Sequence, residues 1–261
     1  MNKFVLIHGS CQGSCAWWMV KEKLEKQNNE VINIELPGHG NTVGNAADLT
    51  LDFYRDYVAD IITKAQDNVI LVGHGFGGVV ISAVAELIPE KISVLVYVAA
   101  LLPVSGQSLF DLCIEDEESK SNPNIIVSDD NLTIGFRKED IPAIFLNDCL
   151  DHYSSFMSSY CPEPFIPLTN PVFLTTEKFG TVSKIYIYAL QDNVVTLPLQ
   201  KQMVAAADIE ETYSIDCGHM IQLANPEELT RILINVASKA KGSQIDIPKK
   251  KKFLDYFFRT S

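Results

Sequence analysis

Apolar residues fall along this chain in short, nearly unbroken runs, each closed by glycine, proline or a polar turn. Residues 4–8, 31–36, 69–72, 93–99 and 183–190 are such runs. Brief runs with little alternation suit strands covered on both faces, as in a parallel sheet. Between them the apolar positions open out to helical spacing at 17–27, 52–66, 79–88, 197–207 and 226–240. Strand and helix therefore alternate, which is the order of an α/β fold with right-handed crossovers. The expected architecture is a mostly parallel, doubly wound sheet.

The alternation lapses between 105 and 180. That stretch holds an acidic run (Glu115, Asp116, Glu117, Glu118), four prolines from Pro162 to Pro171 and scattered aromatic residues. An insertion of this length between two sheet strands reads as a helical cap over the strand ends. The chain then divides into a core of residues 1–104 and 181–241, a cap at 105–180 and a tail at 242–261.

Composition narrows the function. Apolar residues make up 47% of the 261 and charged residues 21%, enough for a large buried core and unlike a disordered chain. No apolar run approaches the roughly 20 residues that span a bilayer. The first residues reach His8 and Gly9 too soon for a secretory segment, so they read as a first strand and the expected location is cytoplasmic. The net charge of −12 has the wrong sign for a phosphate-backbone binder, which argues against nucleic acid. The tail is the exception. Lys249 to Lys252 with Phe253, Tyr256, Phe257, Phe258 and Arg259 interleave basic and aromatic residues, suiting a solvated end, an anionic membrane surface or a partner's groove at 249–259. Six cysteines without a C-x-x-C pair suggest reduced thiols, no zinc site and no disulfide framework. No metal or cofactor is expected, and the oligomeric state stays open.

The chemistry concentrates at Val69-Ile70-Leu71-Val72-Gly73-His74-Gly75-Phe76-Gly77-Gly78-Val79-Val80. A hydrophobic strand meets a glycine-rich turn that opens a helix, the setting of the G-x-S-x-G nucleophile elbow. Every part is present except the serine, and Gly75 stands in its place. A phosphate loop would need Lys and Ser/Thr where Val79 and Val80 stand. Gly73, Gly75 and Gly78 also fit G-x-G-x-x-G, but the loop follows the third strand, and Ala99 and Ala100 end the strand where an acidic partner would fall.

Further motifs favour the elbow: His8-Gly9-Ser10-Cys11 after the first strand, Leu36-Pro37-Gly38-His39-Gly40 after the second, Gln191-Asp192-Asn193, and Cys217-Gly218-His219-Met220. Together these resemble the α/β-hydrolase superfamily over about residues 3–240, and within it the branch of esterases and hydroxynitrile lyases that holds the plant methylesterases. The resemblance implies a small-molecule ester or carbonyl substrate, with His219 as the catalytic histidine and Asp192 as the acid orienting it; Asp216 is a rival by proximity. It also implies an oxyanion hole from the N–H groups of Ser10 and Phe76, and substrate contacts at Gly9, Cys11 and Met220. The lyases of this branch carry threonine and lysine at the positions of Gly9 and Met220. Methionine cannot stabilise a departing cyanide, so an esterase-type pocket is expected. His8, His39 and His74 read as structural, His152 as a surface or lining residue, and Trp17 and Trp18 as packing.

Gly75 puts acyl-enzyme chemistry in doubt. Ser82 lies two turns down the next helix and is expected to point away, and Cys11 is a remote substitute. Three readings remain open: a hydrolase fold with weak or no esterase activity, a nucleophile-free lyase or decarboxylase like the plant methylketone synthases of the same branch, or a non-catalytic binding protein.

Overall fold

The structure, a computed structural model, describes residues 1–243 apart from Asn41 and Val43. The basic-aromatic stretch at 249–259 lies outside the described residues. Six strands, β1 (Lys3–Ile7), β2 (Glu30–Ile34), β3 (Val69–His74), β4 (Ile92–Val98), β8 (Lys184–Ala189) and β9 (Glu211–Ile215), form one sheet in the order β2-β1-β3-β4-β8-β9. Every pairing in it is parallel. The runs seen in the sequence match the first five strands within a residue or two.

Period-two alternation explains why these strands read as unbroken apolar runs: successive side chains enter opposite cores. Val5, Ile7 and Leu71 face α2 (Leu51–Thr63), α3 (Gly77–Leu87) and α8 (Leu197–Ala206). Phe4, Leu6, Ile70 and Val72 face α1 (Trp18–Lys26) and α10 (Pro226–Ser243). The last helix continues to Ser243, past the expected boundary between core and tail.

Between β4 and β8 the chain leaves the sheet. This insertion carries α4 (Leu109–Glu115), α5 (Ile141–Phe145), α6 (Tyr153–Ser159) and α7 (Phe165–Thr169). It is not purely helical as expected: β5 (Ile126–Val127), β6 (Thr133–Gly135) and β7 (Glu163–Pro164) form a small antiparallel sheet. A short helix, α9 (Ile221–Ala224), follows β9 before α10. Trp17 is fully buried, as packing requires, whereas Trp18, also expected to pack, is 46% exposed.

The strand order places the site. β1 pairs with β2 on one side and β3 on the other, so the connections leaving β1 and β3 diverge and open a crevice at their carboxyl ends.

Candidate active site

Four loops meet at that crevice, each leaving the carboxyl end of a parallel strand. Gly75 follows β3 and has φ +52°, in the left-handed region where a side chain is strained. Its carbonyl accepts from Leu101 N–H at 3.0 Å and Gly78 N–H at 3.2 Å, which pins the turn. At Gly78 a Cβ would come within 2.3 Å of the Leu101 carbonyl oxygen, so glycine there is a packing requirement. The turn then opens α3, whose residues Gly77 to Ala85 are all buried.

A Cβ at Gly75 would meet only ordinary contacts, 3.4 Å from Nε2 of His219 and 3.5 Å from the Gly9 Cα. His219, in the loop after β9, is buried, and its Nδ1–H donates to Oδ2 of Asp192 at 2.9 Å. Asp192 follows β8. Its Oδ1 accepts from the N–H groups of Val194 (2.7 Å) and Val195 (3.0 Å), and Gln200 Nε2 reaches Oδ2 at 3.3 Å. Four donors on a buried carboxylate hold it in one orientation. Asp216 is exposed and accepts instead from Gln191 at 2.8 Å.

Ser10, Gly75, Phe76 and His219 line one narrow cavity, with Leu101 beneath and Phe136, Phe145 and Leu168 from the insertion above. Its free space of ≈ 60 Å³ exceeds the ~10–15 Å³ that one water needs. Among the described residues, no protein acceptor takes up the backbone N–H of Ser10 or of Phe76. The Phe145 ring stands edge-on to His219 with centroids 6.2 Å apart.

A model of the alpha/beta hydrolase family matches residues 4–232. The chain belongs to that family. Within this family its relatives include the methylesterases of Arabidopsis thaliana. Putative methylesterase 11, chloroplastic, is 30% identical over 90% of this chain, which spans 64% of that relative's length. Methylesterase 9 is 26% identical over 92% of this chain and 99% of its own. Among solved structures, tomato methylketone synthase I in complex with 2-tridecanone superposes with a TM-score of 0.83 at 20% identity, over 92% of this chain and 98% of its own. The last likeness is one of fold.

Two residues expected at the substrate lie elsewhere in this family member. Cys11 does not line the cavity: with φ +59° its backbone turns away, its N–H donates to Glu163 Oε2 at 2.7 Å, and its thiol is buried and pushed well above the usual range by burial and by the Glu163 carboxylate. Met220 is fully buried, its sulfur accepting from Gln12 Nε2 at 3.0 Å beside a separate crevice under α6. Gly9 contributes its Cα to the wall of the site, and a side chain there would press to 2.9 Å from Nδ1 of His74. Ser82 donates to the Gly78 carbonyl and meets the Tyr97 hydroxyl, each at 2.8 Å, so it points into the sheet.

Three of the other histidines have assigned partners. His8 is fully buried and held neutral, its pKa lowered to about 3 by burial and by His39 nearby; it accepts the Leu36 N–H and donates to the Gly9 carbonyl. His74 is likewise pushed well below the usual range by burial and by His219 beside it, and Nε2–H donates to the His219 carbonyl at 3.0 Å. His39 behaves oppositely. Burial pulls it down, but the Glu163 carboxylate, 2.8 Å from Nε2, holds it above the ordinary imidazole range. His152 is half-buried in the insertion.

Sequence reasoning missed Asp116 and Glu163. Glu163 is fully buried on β7, and Asp116, 5% exposed, borders the cavity. Only the prolines on either side of Glu163 hinted at a fixed position, and nothing separated Asp116 from the exposed acids around it.

Proposed function

We propose that this chain is a small-molecule esterase-type hydrolase whose acyl-enzyme route is closed at Gly75, so that serine-type turnover is weak or absent. The observation that carries the reading is the empty Cβ position 3.4 Å from Nε2 of a histidine already bonded to a buried aspartate. The buried His219–Asp192 bond supports a base with its orienting acid, Ser10 and Phe76 line the same cavity, and Gly75 offers no attacking atom. Loss of the serine from such a triad costs about 10⁶ in rate, and the oxyanion donors and binding retain about 10³ over water. The cavity has room for a water beside His219, which allows slow general-base hydrolysis.

The kept His219–Asp192 pair also favours a second reading, proton transfer to or from a carbonyl substrate without a covalent intermediate, over a pure receptor. A side chain at Gly9, where lyases of this branch carry threonine, would displace His74, which counts against the cyanohydrin version of that chemistry.

The test is Gly75→Ser against short p-nitrophenyl and methyl esters, with Gly75→Ala as control. Serine is expected to raise kcat/KM by several orders of magnitude with an acyl-enzyme burst, and alanine to leave it unchanged. Both pay a strain of about 1–3 kcal/mol at this φ, read as a matched fall in Tm. No gain across the ester panel, together with decarboxylation of a β-keto acid by the unmodified chain and its loss in His219→Ala, would replace the first reading with the second.

A further inference from the structure

Asp116 caps the far side of the cavity. It follows the last turn of α4, and its oxygens accept the backbone N–H (2.9 Å) and the hydroxyl of Thr196, at the start of α8. Its neighbours in the acidic run, Glu115, Glu117 and Glu118, are exposed, whereas Asp116 is 5% exposed and lines the same cavity as Gly75 and His219. Among the described residues lining that space no lysine or arginine occurs, and the rest of the wall is apolar or uncharged apart from His219. The second carboxylate nearby, Asp192, is already committed to His219. Burial, with Asp192 nearby, holds the Asp116 carboxyl above its ordinary value although the two Thr196 bonds draw it part of the way back, and the N-terminus of the ten-residue α8 favours its anion.

Resting on the reading of this cavity as the substrate site, we infer that Asp116 is a specificity-determining residue that admits neutral esters and ketones and rejects carboxylates. A like charge in a narrow, buried cavity is screened far less than at the surface, and no lysine or arginine among the described lining residues compensates an incoming anion. The same charge works against β-keto acids and lets the free acid product of an ester leave.

Three probes of similar size separate charge from shape: 2-pentanone, butanoate and butylamine, titrated into the unmodified protein at pH 8 and followed by NMR. The ketone is expected to bind at least about tenfold more tightly than butanoate, and the amine more tightly than butanoate as well. Asp116→Asn should raise butanoate affinity about tenfold and leave the ketone within about threefold. Thr196→Val removes one bond to Asp116 but keeps the charge, and should leave the preference intact. Ketone and butanoate binding equally, or Asp116→Asn leaving their ratio unchanged, overturns the charge argument while the cavity stands. Binding of none of the probes removes the cavity as a ligand site, and the inference with it.

Discussion

Asp192 accepts from Val194, Val195, Gln200 and His219, and only the last of these bonds serves the imidazole. Asparagine at 192 keeps the size but offers an amide where His219 needs an acceptor, which favours the wrong tautomer. In a Gly75→Ser background, Asp192→Asn is therefore expected to cost about ten-thousand-fold in kcat. Asp216→Asn, altering an exposed group whose partner among the described residues is Gln191, should stay within about threefold; equal losses in the two variants would show the acid wrongly assigned. Asp192 and His219 were legible in the sequence because each lies in a loop that follows a strand, in the chain order of a triad's acid and histidine. Cys11 and Met220 were not, because adjacency in sequence says nothing of which way a side chain turns. The positive φ of Cys11 and the Gln12 contact of Met220 send them off the cavity.

Glu163 joins the insertion to the core at the level of whole elements. From β7 it takes the His39 ring nitrogen and the Cys11 N–H on the same oxygen, Oε2, so one carboxylate holds the loop after β2 and the loop after β1 that carries Ser10. Glu163→Gln removes the counter-charge, so burial drives His39 to its neutral form and the ion pair is lost, at a cost of about 1–3 kcal/mol, read as a lower urea midpoint. Because His39 is raised in the folded state, this contribution is whole below an unfolded pKa of about 6.5 and fades as pH rises through the folded value. The gap between parent and variant should therefore narrow at alkaline pH; a gap that widens there would contradict the ion pair. Elements such as β7 escaped sequence reasoning because strands of two or three residues are too short to display a period. Strand β9 escaped for another reason: at the sheet edge, Thr212 and Ser214 face solvent, and its sequence lacks the apolar run that marks the interior strands.

For the molecule as a whole, His8 and His74 set the response to acid. Both are buried neutral, with His8 lowered to about 3. Below about pH 6.5 the unfolded chain binds protons that these two sites refuse, so stability falls by up to about 1.4 kcal/mol per pH unit for each. Urea midpoints at pH 7.5, 6.5, 5.5 and 4.5 should decline, and His74→Gln should flatten the slope. The comparison with the parent separates the histidine from the general charge of an acidic chain; parallel slopes would refute the assignment. The two sides of the cavity are also built differently. The floor is locked by backbone pressed on backbone, with Gly73 against Gly77 and Gly78 against Leu101, and opens only with the sheet. The roof is fastened by side chains: Asp116 to Thr196, Glu163 to His39, and Glu86 to the hydroxyl and N–H of Thr175. Such fastenings release singly. Amide protons of β3 and α3 should then exchange at the rate of global unfolding while those of α4 and α7 exchange far sooner, and a guest could come and go many times within the lifetime of one folded molecule.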